Sequence, residues 1–251
     1  MNLVLDLGNS RCKWALANAG QEPTGLAQRG ALAYGEDFAQ VLENSFRVLP
    51  RPELVAAVCV AASGHLQTLA QWVQRRWGLE LQRIDTRAVQ LGVTNAYKNP
   101  TSLGADRWAA LIAARARLPG AACVVDCGTA LTIDALDQNG VYRGGVILPG
   151  LALMRVALLR TQGVRDLVGD AGSALAQSTA DGVAAGTLFG LAGAIDRILD
   201  EQAALLGATL QVLITGGDAQ PLLALLRHAV QHAPDLVLEG VAHIARAGGS
   251  A

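Results

Sequence analysis

Aromatic side chains supply only 4% of this 251-residue chain, and its charges nearly cancel at a net charge of −1. With 51% hydrophobic residues and 28 glycines, the core must be closed by small side chains, so tight helix packing is expected. A pI of about 6.4 leaves no broad basic surface to neutralise a polynucleotide, which argues against nucleic-acid partners. No run of 18 or more apolar residues passes without a polar break, and the opening MNLVLDLG carries no basic leader. The expectation is a cytoplasmic protein with no membrane partner. GxxxxGK[ST], GxGxxG and HExxH are all missing. A Walker-type cradle, a dinucleotide fold, a protein-kinase loop and a zincin site are therefore set aside.

Cysteine and histidine offer little for metal binding. Cys123 and Cys127 lie four apart on an expected strand, roughly 13 Å from one another at about 3.3 Å per residue, too far to share an ion. Cys12 and Cys59 complete the set, and all four read as reduced core residues. His65, His228, His232 and His243 are scattered without a completing ligand motif, which favours packing or surface roles.

What the chain does contain is an internal echo. LVLDLGNSRCKWAL at the start returns as VVDCGTALTIDAL, so that Asp6, Gly8 and Asn9 match Asp126, Gly128 and Thr129 at a constant offset of 120 residues. An apolar strand ending in Asp-x-Gly sets a carboxylate and backbone N–H groups at a tight turn, which suits phosphate oxygens and a cation. One such turn is as readily an ordinary hairpin with an Asx turn; its repetition points to one site between two domains.

Three further features join it. Lys13 alternates with Cys12 and Trp14 on the strand after the first turn, so its charge faces either solvent or a polyphosphate. In TGGDA, Gly216 and Gly217 end a strand before a helix, where a flat group such as adenine could approach the backbone. In TNAYKNPTSLGADRWAALIAAR a polar loop leads into a helix whose first turns carry Asp106, Arg107 and Trp108. Asp106 suits a helix start, but arginine gains nothing from that dipole and reads as the partner of a substrate carboxylate. Asp106 could then serve a hydroxyl.

Periodicity predicts strands over 2–7, 11–17 and 22–32, a helix over 36–48, a strand over 53–61, a helix over 65–77, a strand over 79–85 and a helix from 102 or 103 to 118. Pro119-Gly120 marks the domain boundary, giving domains 1–118 and 119–251. The second half is read as strands 122–127, 130–136 and 141–147, helices 150–160 and 180–206, a strand 210–215, a helix 218–230, a strand 235–238 and a helix 240–247. The long helix over 180–206 is apolar or small around most of its circumference, which suits a central position or a homodimer interface.

DLGNSRCK, NAYKNPTSLGADRW, VVDCGTA, GGVILPGLALM, the Thr179 region and TGGDA stand in the order and spacing of type III pantothenate kinases, also called Bvg accessory factor proteins, and the chain resembles that family over nearly its whole length. The resemblance implies an α/β fold of two duplicated ribonuclease-H-like domains, that of the acetate and sugar kinase, Hsp70 and actin superfamily, with ATP between them. It implies phosphorylation of pantothenate to 4'-phosphopantothenate, the first step of coenzyme A synthesis. Carried onto this sequence, Asp6, Leu7, Gly8, Asn9, Ser10, Arg11, Cys12 and Lys13 resemble the first phosphate loop. Gly128 and Thr129, within Asp126–Ala130, resemble the second, with Gly216 and Gly217 at the adenosine. Asp126 is similar to the monovalent-cation ligand, for potassium or ammonium, and Asp6 is the magnesium partner, directly or through water. Tyr97, Gly104, Ala105, Asp106 and Arg107 correspond to the pantothenate site, with Asp106 as proton acceptor, and Thr179 to a substrate contact made across a homodimer. Cys59 departs from the serine or valine that related sequences more often carry, outside the motifs. The rival readings are a kinase of the same fold for another small hydroxylated substrate and a nucleotide-binding accessory protein without turnover.

Overall fold

The fold is described from a computed structural model, for residues 1–18, 25–61, 63–160 and 169–248. It divides into two compact units, one formed by Met1–Arg117 with Asp235–Ala251 and the other by Leu118–Pro234.

In the first unit, β1 (Asn2–Leu7), β2 (Cys12–Ala17), β3 (Leu26–Leu32), β4 (Leu54–Cys59) and β5 (Leu81–Arg83) form a sheet in the order β3-β2-β1-β4-β5. β1 runs antiparallel to β2 and parallel to β4. Alternation along β1 sends Leu3, Leu5 and Leu7 into one core with Trp14 and with α1 (Phe38–Phe46) and α2 (Ser63–Trp77). The scarce aromatics gather here: Trp14 meets Phe46 edge-on at 5.1 Å, and Trp72 meets Trp77 at 4.8 Å. All four tryptophans of the chain fall in this unit, so its core departs from the small-residue packing expected from composition. A short hairpin of β6 (Val89–Gln90) and β7 (Val93–Asn95) follows, and then α3 (Ala105–Arg117). The hairpin was not predicted, because its turn is Leu91-Gly92, with φ of 49° and 78°, where Asn-Gly is the usual signal.

The second unit repeats this plan. β8 (Ala122–Cys127), β9 (Ala130–Leu136), β10 (Val141–Pro149), β11 (Gln211–Thr215) and β12 (Val230–His232) run in the order β12-β11-β8-β9-β10. β8 is antiparallel to β9 and parallel to β11, so each strand has a counterpart in the first sheet. α4 (Leu151–Leu158), α5 (Thr179–Leu206) and α6 (Ala219–Leu223) belong to this unit. α5 starts on a Ser178 cap and stops at Gly207, whose φ of 58° only glycine adopts freely. Leu188, Leu191, Ile195 and Leu199 on α5 pack onto Cys123, Val125, Leu131 and Ile133. By length and composition α5 could cross a bilayer, with a mean hydropathy of 1.4, yet 56% of that stretch is buried within the protein.

Two expected elements are corrected. The helix expected over 218–230 ends at Leu223. The Arg227 and His228 amides donate to the buried Asp196 carboxylate instead of to a helical ladder, and β12 follows at 230. Burial opposes ionisation of Asp196, but these bonds and one from the His228 ring together hold its pKa below the usual carboxylate range. The strand expected over 235–238 is instead the first turn of α7 (Leu236–Gly248), whose buried Leu236, Val237, Val241 and Ala245 keep helical spacing. The start of the strand expected over 22–32 lies outside the described residues.

Where the sequence suggested one domain over 119–251, α7 groups with Met1–Arg117 and packs against α3, β1, β2 and β4. It lies against α3 so closely that a Cβ on Gly240 would fall 1.9 Å from the Ala109 carbonyl oxygen. Arg117 pairs with Glu239, and Arg29 with Asp235.

Candidate active site

β1 delivers Asp6 to the rim of the first sheet, where its register partners are Lys13 on β2 and Val58 on β4. Asp6 is 8% exposed, whereas Asn9, Ser10 and Arg11 in the turn beyond it are exposed and Gly8 and Lys13 half-buried. Leu7 and Cys12, flanking the turn, are buried. Leu7 O accepts from the amides of Val60 and Ala61 at 3.0 Å each, fixing the turn to the end of β4. A Cβ on Gly8 would meet only the Arg11 oxygen, at 3.4 Å. The Cys12 thiol is pushed up by burial and by the nearby Asp6 and Cys59, so it remains protonated.

The same end of β4 reaches the expected substrate helix. A Cβ on Gly104 would lie 2.5 Å from Asp106 Oδ1 and 3.7 Å from Val60 Cγ1. Only a residue without a side chain lets Asp106 fold over the start of α3, where its Oδ1 accepts from the Arg107 amide at 2.7 Å. Gly104, Ala105, Asp106 and Arg107 are all half-buried. The loop before them is held by its own polar groups: Asn95 Oδ1 accepts from the Tyr97 amide, and Asn99 caps the 3₁₀ turn Pro100–Ser102. The Thr86 hydroxyl donates to Leu103 O at 2.8 Å. Val60 thus brings the first turn and the Gly104–Arg107 corner together within one unit.

In the second unit the turn is one residue shorter. Leu7 pairs with Cys12 across four residues, whereas Cys127 pairs with Leu131 across three. The register row through Asp126 consequently reads Thr215, Asp126, Thr132, where the first unit has Val58, Asp6, Lys13. Thr132 is 9% exposed, and its hydroxyl oxygen has no hydrogen-bond partner among the described residues. Sequence reading missed this residue, because the offset of 120 holds only up to the turn.

Two glycines outside the duplicated motif shape this second turn. A Cβ on Gly150 would meet Gly128 O at 2.2 Å, and the Gly150 amide donates to Thr129 O at 3.0 Å. Gly216 has φ of 95°, and its Cβ would lie 2.4 Å from the Cys127 backbone and 2.6 Å from Asp126 Oδ1. The first glycine of TGGDA is therefore required by the protein's own packing, while Gly217 is exposed. Burial, with Asp126 and Asp218 nearby, pushes the Cys127 thiol up to about 12.

Thr179 is exposed at the first position of α5, beside a network in which Ser178 and the Asp170 amide hydrogen-bond to Asp181. Those bonds hold the Asp181 carboxyl below its ordinary range. No group of three or more His, Cys, Asp or Glu side chains able to hold a metal occurs among the described residues.

Residues 2–201 match the family model described as type III pantothenate kinase. The type III pantothenate kinase of Halorhodospira halophila is 41% identical over 253 residues, covering 98% of this chain and 98% of that one. Its counterpart in Alkalilimnicola ehrlichii is 40% identical over 249 residues, again covering 98% of both. A putative 2-dehydro-3-deoxygalactonokinase protein from Sinorhizobium meliloti aligns with a TM-score of 0.61 at 15% identity, over 98% of this chain and 96% of that one. That likeness shows the fold, the architecture of acetate and sugar kinases, Hsp70 and actin. Duplicated sheets, paired Asp turns and full-length identity agree, and the chain belongs to the type III pantothenate kinase family.

Proposed function

We propose that this protein transfers the γ-phosphoryl group of ATP to pantothenate, giving 4'-phosphopantothenate, the first step of coenzyme A synthesis. The observation that carries this reading is the Gly104–Arg107 corner. It folds the Asp106 carboxylate over a helix start, where it accepts from the Arg107 amide, with Val60 between this corner and the first turn.

Phosphoryl transfer passes through a loose transition state, so the protein chiefly positions the reactants and balances charge. Asp106 orients the primary hydroxyl of pantothenate and takes its proton late in the transfer. Arg107 binds the carboxylate at the other end of that substrate, with Tyr97 beside it. The amides of the Gly8–Arg11 turn and the Lys13 ammonium receive phosphate oxygens, as do the amides at Gly128 and Thr129. Gly217 leaves room for the adenosine. Thr179 reaches the substrate of a second copy.

The donor sets fit the expected ions. Magnesium is commonly held by one or two carboxylates with substrate phosphates and water rather than by an all-protein cage, and Asp6 at the rim of the first turn is such a carboxylate. Bound there, magnesium would neutralise charge on the phosphates. For potassium or ammonium, the Asp126 carboxylate has the buried Thr132 hydroxyl, without a hydrogen-bond partner among the described residues, beside it in the same row. A homodimer is supported by exposed apolar side chains in the second unit, Val146, Ile147, Leu153 and Val156.

The test is ADP release by the purified protein with pantothenate, N-acetylglucosamine or acetate as acceptor, with and without potassium. Pantothenate-dependent release that potassium enhances is expected; release only with another acceptor would overturn the substrate.

A further inference from the structure

Tyr34 lies outside every motif discussed above, yet its hydroxyl donates to the carbonyl oxygen of Gly8, inside the first turn, at 2.5 Å. The ring is itself held on two sides. It stacks on His65 with centroids 3.9 Å apart and planes 6° from parallel, and Phe38 meets both rings edge-on, at 5.1 Å from Tyr34 and 5.4 Å from His65. Phe38 is 5% exposed and anchored in the first core. The hydroxyl therefore sits at a place set by packing, not by the turn.

The consequence follows from the planarity of the peptide bond. In a trans peptide the C=O of one residue and the N–H of the next point in opposite directions. A Gly8 carbonyl drawn to Tyr34 turns the Asn9 N–H away from Tyr34. Gly8 has no side chain to oppose rotation of this peptide, and the Asn9–Arg11 stretch is exposed. Without the Tyr34 hydroxyl the Gly8–Asn9 peptide would lose the restraint that sets the direction of the Asn9 amide. Burial, together with the nearby Cys12, Asp6 and Cys59, disfavours ionisation of the Tyr34 phenol, which stays a donor across the neutral range.

We propose that Tyr34 is a positioning residue for phosphoryl transfer: its hydrogen bond to Gly8 O fixes the first turn with the Asn9 amide facing the polyphosphate, and the His65 stack fixes Tyr34. This rests on the reading of that turn as an ATP phosphate site.

The test compares ATP with adenosine, without pantothenate, so that it does not depend on the acceptor. Tyr34→Phe keeps the ring and its stack and removes only the hydroxyl. ATP affinity should fall about tenfold, the scale of one lost hydrogen bond to an ordered group, while adenosine affinity and the melting temperature stay near wild type. In turnover, the KM for ATP should rise and that for pantothenate should not. His65→Ala keeps the hydroxyl but frees the ring, and should give a smaller loss of ATP affinity with the same insensitivity of adenosine. Equal loss of ATP and adenosine affinity in Tyr34→Phe, or no loss of either, overturns the proposal. A wild-type protein that binds ATP no better than adenosine overturns it together with the phosphate-site reading. Tight ATP binding without turnover of pantothenate overturns the substrate assignment alone.

Discussion

The two Asp-x-Gly turns share a strand order, a register and an aspartate, and they differ in what stands beside that aspartate. Asp6 is flanked by Val58 and Lys13, Asp126 by Thr215 and Thr132. An ammonium next to a carboxylate, beside a turn of exposed amides, suits an anion that brings its own cation. Two hydroxyls next to a carboxylate suit a partly dehydrated cation, since oxygen dipoles replace its lost water. The second turn is one residue shorter, and beyond it Thr132 stands where Lys13 stands in the first. The scaffold is repeated, and the side chains beside the aspartate differ.

The largest expected effect concerns the part that only the first unit carries. Asp106→Asn should lower turnover by about 10² or more while keeping the fold and ATP binding, because it removes a proton acceptor at nearly constant shape. Near-normal kcat in a folded sample would take the chemistry away from this corner.

Glycine substitutions then separate the two turns by sterics. Gly216→Ala must force a Cβ against the Cys127 backbone at a φ of 95°, and should lower stability by about 1–3 kcal/mol. Gly8→Ala meets one oxygen at ordinary contact distance and should cost well under about 1 kcal/mol. Denaturant midpoints of the two variants give the comparison directly, and similar losses would contradict it.

Charge substitutions separate them by ligand. Lys13→Met should raise the KM for ATP about tenfold, the scale of a lost charge-assisted hydrogen bond, and leave half-activation by potassium unchanged. Asp126→Asn should do the reverse in an ammonium-free buffer, with Thr132→Val shifting the potassium midpoint in the same direction by less. If Asp126→Asn raises the KM for ATP and leaves potassium activation alone, the assignment of anion and cation to the two turns is inverted.

The smallest effect is on the thiols. Cys59 is half-exposed, whereas Cys12, Cys123 and Cys127 are buried. Cys59 should therefore be alkylated first in the native protein at pH 8, although burial raises its pKa as well. Thiols whose folded pKa is raised leave stability untouched below the ordinary value of 9.0 and reduce it as pH rises from there towards about 12, the value at Cys127. Urea midpoints at pH 7.5 and 10 should show that fall, lessened by Cys127→Ala relative to its own midpoint at pH 7.5.

Much of this was legible in the sequence because it rests on local pattern. β1 and β8 begin and end at positions 120 apart, and the apolar alternation that defines them is a property of six residues each. The Asp106-Arg107 corner was legible because arginine at a helix start is out of place. What was missed depends on strand register and on contacts between elements. Thr132 became visible only through the register of β8 with β9, and Tyr34 only once α2 set His65 against it. The end of α6 is imposed by Asp196, about thirty residues upstream. Leu236–Leu238 carries a strand-like composition and is made helical by the surface that α3 offers it.

The return of α7 to the first unit has a bearing on how the protein is made. The second unit is one unbroken stretch, complete when residue 234 has been synthesised. The first unit is begun earlier but completed later, because β1, β4 and α3 pack against a helix that follows residue 234 in the chain. Until then the apolar side of α3 that receives α7 has no cover. Order of synthesis and order of completion are therefore opposed: the unit begun first is the unit completed last.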